Sequence, residues 1–306
     1  ISSSFYMNEL PQWVLDFNKS EAAESYLKVW NTVYDISTYT ESGADENNFE
    51  GGFKGKDKAT FPYDLAALSK ENRGFDILKA TPYGNSLTTD FAMAAIKAEH
   101  LGQDDITDVL TVSYSSTDYV GHNFGVNSKE IEDTYIRLDK DLERFFNYLD
   151  ATIGTGEYTI FLTADHGAID VPSYLQSMNI PAGYLDNKAT KTKFEKYVEA
   201  KFKNSELIEN VSNNQIFLNR TTIDSLGLNI NEVQESMVNE LIAYKNVNKV
   251  FSAFTMTTTD FTTGIEALLQ NGYNQKRSGD VILVPKSNYI SYSKTGSTHG
   301  SGLNHD

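Results

Sequence analysis

The chain has 306 residues, 40% hydrophobic and 12% aromatic, a globular composition with room for one large α/β domain or two smaller ones. A formal net charge of -16 repels polyanions at long range and excludes general binding of nucleic-acid polymers. The absence of cysteine excludes thiol nucleophiles, iron–sulfur clusters and disulfides, and no apolar run is long enough to span a membrane.

In chain order, Pro11 fits the first turn of a short helix carrying Trp13, Val14 and Phe17 on one side, and Ser20 caps a second helix running to Trp30. Gly51, Gly52 and Gly55 mark a polar loop whose spacing does not match a phosphate-binding P-loop. Residues 88–100 read as a helix with Phe91, Ala95 and Ala98 inward. The β-rich run 109–114 precedes S-S-T-D-Y-V-G-H. Over 128–152 the residues Ile131, Tyr135, Leu138, Leu142, Phe145 and Leu149 recur every three or four positions, the mark of a long amphipathic helix. Its opposite face, with Glu130, Glu132, Asp139 and Asp141, reads as a solvated surface. The apolar run 158–162 then ends at T-A-D-H-G-A.

Helix, strand, helix, strand in this order implies a parallel sheet flanked by helices, with the ligand site at the carboxyl ends of the strands. Asp118 and Asp165 both follow predicted strands, a topological reason to bring them together. Residues 172–280 change character: helices around Phe194–Val198–Phe202 and Val233–Met237–Leu241 alternate with strands at 214–219 and 250–256. They read as an inserted α+β subdomain, leaving 1–171 and 281–306 as the core, with a last strand at 280–284.

Of five histidines, three sit beside carboxylates or glycines: Asp118 and His122 as D-x-x-x-H, Asp165 next to His166, and His299 in T-H-G-S. Carboxylate oxygen and neutral imidazole nitrogen are ligands zinc accepts, and manganese or iron also uses them. A turn after the strand, helped by Gly121, would let Asp118 and His122 converge. Each pair alone is a common chance pattern; two pairs, each behind an apolar strand, point to a metal site. Five ligands are too many for one tetrahedral zinc and slightly too few for two. His100 reads as a structural residue at a helix end, and His305 as solvent-exposed.

The combination S-S-T-D-Y-V-G-H-N-F-G, T-A-D-H-G-A and T-G-S-T-H-G-S closely resembles the alkaline phosphatase superfamily, and within it the phosphate-irrepressible alkaline phosphatases related to type I phosphodiesterases and nucleotide pyrophosphatases. The likeness continues through A-T-P-Y-G-N-S-L-T-T-D-F-A and E-D-T-Y-I-R-L-D-K-D-L. The resemblance implies an alkaline-phosphatase-like three-layer α/β/α sandwich, two zinc ions, and hydrolysis of small-molecule phosphate monoesters through a covalent phosphoryl-enzyme. By that pattern Asp118, His122 and His299 bind the first metal, and Asp165 and His166 the second.

The family's Thr or Ser nucleophile, one further metal-binding Asp and its phosphate-contacting Asn, Lys and Arg match no position here and are expected upstream. The isolated chain is then expected to be inactive, with its own N-terminal segment as a partner. Ile1 is not an initiator residue and no signal peptide is visible, which suggests a processed chain or a fragment. Periplasmic or secreted localisation follows from the resemblance alone. The alternatives are a phosphodiesterase or nucleotide pyrophosphatase using the same metals, a cofactor-independent phosphoglycerate mutase as a distant third, and a non-catalytic assembly piece.

Overall fold

The computed structural model describes residues 5–204 and 206–306. Contacts divide the chain into two compact units, 1–165 with Thr295–Ser297, and 166–294 with Thr298–Asp306.

In the first unit, helices Pro82–Ala98 and Lys129–Thr152 pack against each other, and helix Ser116–Phe124 packs on both. The long helix starts where its sequence predicts: Ser128 Oγ accepts the Ile131 N–H at 3.2 Å, and Glu130 and Glu132 sit in the positively polarised first turn. One core joins Ala92 and Ile96 to Phe145 and Leu149. A second, aromatic core surrounds Trp30, with Tyr63 at 5.3 Å and Phe124 at 6.0 Å between ring centroids. Trp30 is fully buried in a two-residue strand, Val29–Trp30, paired with Tyr63–Asp64. The helix expected from Ser20 to Trp30 is therefore only Ala22–Ser25.

The acidic face of the long helix is a correction to the sequence reading. Asp139 is exposed, but Glu130 and Asp141 are buried, and Asp133 beside them is 0% exposed. The polar 30–42 segment folds over this face and supplies donors. Asp133 accepts from Trp30 Nε1 at 2.7 Å, Val33 N at 2.8 Å, Arg137 Nε at 2.6 Å and the Tyr39 hydroxyl. Asp141 accepts from Ser86 Oγ at 2.6 Å and Arg144 Nη2 at 2.9 Å. Periodicity detects apolar faces only; it is blind to a loop that brings hydrogen bonds to a polar one.

Glu130 receives the Tyr63 hydroxyl on Oε1, while its Oε2 and the Oε2 of Glu50 are buried without a hydrogen-bond partner. Burial raises the pKa of Glu130 above its ordinary 4.5 against the lowering effect of the Tyr63 hydrogen bond, with Asp45 and Asp133 adding repulsion. Burial, then Glu130, raises that of Glu50. Raised folded values mean that the folded unit holds protons the unfolded chain has released. This stability is fully present below pH 4.5 and is lost as pH climbs toward the raised values. Urea unfolding at successive pH values should show the unit weakening as pH climbs from 4.5 toward about 8 and about 9, and Glu130→Gln should flatten that slope. An unchanged slope would contradict the assignment.

The second unit is built on a four-stranded antiparallel sheet in the order Ile208–Ser212, Gln215–Leu218, Val281–Pro285, Val247–Ser252. Asn213 and Asn214, both with positive φ (49° and 57°), make the tight turn of its hairpin. Helices Asn187–Phe202 and Ile230–Leu241 place Phe194, Val198, Val233, Met237 and Leu241 over the sheet residues Ile216, Leu218, Val250 and Val281. The sequence reading put residues 281–306 with the core, yet strand Val281–Pro285 is an inner strand of this sheet. Leu218 N (2.8 Å) and Arg220 Nη2 (2.6 Å) donate to Asp280 just before it. A short parallel pair joins Gly183–Tyr184 to Tyr289–Ile290.

The runs 109–114 and 158–162, expected as strands, belong to no ladder among the described residues. A strand is stable only when neighbouring strands take up its backbone groups, and among the described residues no strand pairs with either run. Among the described residues no helix is long and apolar enough to cross a membrane.

Candidate metal centre

Asp118 lies in the first turn of helix Ser116–Phe124 and His122 one turn later. Gly121 is inside this helix, so the pair converges through i,i+4 helical spacing and not through the glycine turn expected from sequence. His122 Nε2 stands 3.1 Å from Asp118 Oδ2. On the other side of the ring, Nδ1 is 2.8 Å from the Ser297 carbonyl oxygen. A carbonyl only accepts, so Nδ1 carries the hydrogen, and in the neutral ring Nε2 presents a lone pair toward a carboxylate oxygen. Two acceptors facing each other at this distance fit a cation between them.

The scaffold around the pair depends on close backbone approach. The Ser297 N–H donates to the His122 carbonyl at 3.2 Å, so residue 297 grips His122 through both backbone and ring. Gly296 makes this possible: its φ is +72°, and a Cβ there would lie 2.1 Å from the His122 oxygen. At the other end, buried Asn85 accepts from Ser116 N at 3.2 Å and donates to Thr117 Oγ1 at 3.0 Å. Gly84 lets the two helices meet there, since its Cβ would fall 2.0 Å from Ser116 Oγ. Asn85, Gly84, Gly296 and Ser297 all lie in stretches that carry the family resemblance, but no sequence signal gave them a role in orienting His122 and Asp118.

Asn85→Ala removes both contacts at the start of the helix. It should destabilise the first unit by about 1–3 kcal/mol in urea unfolding. It should also weaken zinc binding about 10–100-fold in a chelator competition, the effect usual for a supporting residue.

Asp165 is the exposed last residue of the first unit's main segment. In the second unit, the His166 and His299 rings stack, with centroids 3.6 Å apart and planes at 29°. His166 Nδ1 lies 2.8 Å from the Gly167 carbonyl oxygen, which again leaves the lone pair on Nε2. The Gly167 N–H donates to the His305 carbonyl at 2.8 Å, and the Ile169 N–H to the Thr298 carbonyl at 3.3 Å, so the 166–169 and 298–305 segments brace each other. Gly167 is required at this crossing, where a Cβ would sit 2.3 Å from the His305 oxygen. His305 is exposed and contributes through its backbone, while His100 ends its helix with φ at +54° and pairs with Gln103 at 3.3 Å.

Residues 10–306 match the family described as type I phosphodiesterase / nucleotide pyrophosphatase. The chain belongs to that family, within the alkaline phosphatase superfamily. It is 41% identical to the alkaline phosphatase PafA of Elizabethkingia meningoseptica over 100% of this chain and 56% of the relative. It is 42% identical to PhoV of Synechococcus elongatus over 98% of this chain and 54% of that one. A Myroides odoratus protein named as a calcium-transporting ATPase is 42% identical, with 57% of its length covered. The crystal structure of wild-type PafA superimposes with a TM-score of 0.85 over 97% of this chain and 56% of its own. The chain therefore has the α/β fold of that alkaline phosphatase and spans little more than half the length of these relatives.

Proposed function

We propose that the whole protein hydrolyses phosphate monoesters at a two-metal centre, with this chain supplying most of the metal ligands. The observation that carries this reading is the Asp118–His122 pair, with Nε2 and Oδ2 3.1 Å apart and Nδ1 of the ring turned to the Ser297 carbonyl, so that the neutral ring offers its lone pair beside the carboxylate. Asp118, His122 and His299 would hold one ion, and Asp165 and His166 the other; zinc is the first choice, with manganese or iron as alternatives. Such ions, when bound, supply the positive charge that a chain of net charge -16 lacks and lower the pKa of a coordinated water.

The residues of this chain prepare the ligand atoms. The Ser297 and Gly167 carbonyls accept the Nδ1 hydrogens of His122 and His166, so in the neutral rings Nε2 is the nitrogen that carries the lone pair. A hydroxyl nucleophile outside these residues would attack phosphorus and form the phosphoryl-enzyme. The alcohol leaves, and water then releases phosphate. The substrates are small phosphate esters, and the site of action is outside the cytoplasm, as the resemblance implies.

A diesterase reading is favoured by the family description, which names phosphodiesterases. Turnover of p-nitrophenyl phosphate and of its bis-ester by the full-length protein separates the two. A higher kcat/KM for the monoester is expected, and a clear diester preference would replace this proposal with the second reading. Loss of activity on zinc chelation, restored by added zinc, is expected under both.

A further inference from the structure

We infer that the first unit holds a further cation site, beside the helix of Asp118 and His122, in which Glu50 and Glu130 bind a hard divalent ion of the calcium class. The observation that carries this is a pair of orphaned oxygens. Glu130 is 0% exposed, and its Oε2 and the Oε2 of Glu50 are closed off from water and receive no hydrogen bond from any described residue. Their other oxygens are taken: the Tyr63 hydroxyl donates to Glu130 Oε1, and Asn47 Nδ2 donates to Glu50 Oε1. A buried carboxylate oxygen left this way costs stability unless a proton or a cation joins it.

The surroundings are rich in oxygen and in negative charge. Burial and then the charge of Glu130 oppose ionisation of Glu50, with Asp45 adding to both; burial, Asp45 and Asp133 oppose ionisation of Glu130, against the Tyr63 hydrogen bond. The nearby cations serve other groups: Lys129 and Lys56 ease the charge of Asp45, and Lys129 Nζ donates to the Tyr39 carbonyl. Calcium takes roughly six to eight oxygens in flexible geometry, which suits carboxylates on a loop and a helix better than the strict octahedron of magnesium does. Zinc, by contrast, favours nitrogen and sulfur. In the metal-free fold protons neutralise the pair; the ion would displace them.

The loop that carries Glu50 is pinned where helices Ser116–Phe124 and Lys129–Thr152 meet. The Gly43 N–H donates to the Asn127 carbonyl and the Gly51 N–H to the Asn123 carbonyl, each at 2.7 Å, and Glu130 stands in the first turn of the long helix. On the other side of Glu50, the Phe49 carbonyl accepts the Gly296 N–H at 2.7 Å, next to the Ser297 that holds His122. An ion on Glu50 and Glu130 would therefore tie the loop to the long helix and stiffen two supports of His122.

Calcium binding to the zinc-loaded full-length protein tests this without reference to hydrolysis, so its outcome does not depend on the catalytic reading. Equilibrium dialysis with radioactive calcium should find about one ion per chain. Calcium at about 100 times its dissociation constant should raise the melting temperature by at least about 5 °C. Glu130→Gln and Glu50→Gln should each lower calcium affinity at least about tenfold, and Glu50→Gln, on the loop, decides the matter if the helix variant does not fold. Asp118→Ala should leave calcium uptake unchanged, which separates this site from the zinc ligands. No calcium uptake by the parent, uptake that Glu50→Gln leaves unchanged, uptake lost in Asp118→Ala, or an equal melting shift from magnesium at the same concentration would each overturn the inference.

Discussion

Asp118→Ala in the full-length protein is expected to lose about one of two bound zinc ions and to lower phosphomonoester hydrolysis by roughly 10³-fold or more. The reason lies in the helix. Asp118 and His122 share one face, and the Ser297 carbonyl fixes the ring so that its basic nitrogen points at the carboxylate. Removing the carboxylate leaves the proposed first site with the imidazoles of His122 and His299, which bind zinc more weakly than the full carboxylate–imidazole set. In the metal-free protein the same change removes a group whose side chain is 40% exposed and whose neighbour offers it no proton while the ring is neutral. Metal-free stability should therefore stay within about 0.5 kcal/mol of the parent. Metal analysis paired with thermal melts, with and without zinc, checks both halves. Unchanged zinc content would remove Asp118 from the metal site, and a large loss of metal-free stability would make the pair a structural contact.

Asp133→Ala should cost the first unit about 3–5 kcal/mol, measured by urea unfolding. The carboxylate is fully buried, and four donors converge on it from Trp30, Val33, Tyr39 and Arg137. Alanine would leave buried N–H and O–H groups unpaired and the Arg137 guanidinium without its 2.6 Å partner. Set against a typical total of about 5–15 kcal/mol, that loss approaches unfolding. It would act through the fold, because Asp133 anchors the 30–39 segment that covers helix Lys129–Thr152, and the same helix supports helix Ser116–Phe124. A loss below about 1 kcal/mol would mean that water replaces the lost acceptor, and the segment would then be less tightly docked than the four hydrogen bonds imply.

The long helix was legible because its apolar residues repeat every three or four positions and Ser128 caps it. Helices Asn187–Phe202 and Ile230–Leu241 were legible for the same reason, from the repeats Phe194–Val198–Phe202 and Val233–Met237–Leu241, and strand Gln215–Leu218 falls within the run read as a strand at 214–219. Helix Pro82–Ala98 begins six residues before the expected start at 88, beyond the reach of the inward-facing Phe91, Ala95 and Ala98 that marked it. Gly84 in that added turn is a contact point, where a Cβ would fall 2.0 Å from Ser116 Oγ. Asp118 and His122 were recognised as a pair from spacing and motif, but the spacing suggested a turn where the chain continues as helix.

The sequence by itself determined the chemistry available: which carboxylates and imidazoles exist, that no thiol competes with them, and that a strongly acidic chain handling phosphate needs a local positive charge. It also determined the local elements, since capping and periodicity act over a few residues. Only the tertiary structure decided which ring nitrogen of His122 carries hydrogen in the neutral ring, because the carbonyl that makes that choice belongs to Ser297, 175 residues away in sequence. Only the tertiary structure turned the acidic face of the long helix inward, because burial of a charge depends on donors arriving from a distant loop. The runs 109–114 and 158–162, read as strands from local propensity, join no ladder among the described residues, because a ladder requires a neighbouring strand.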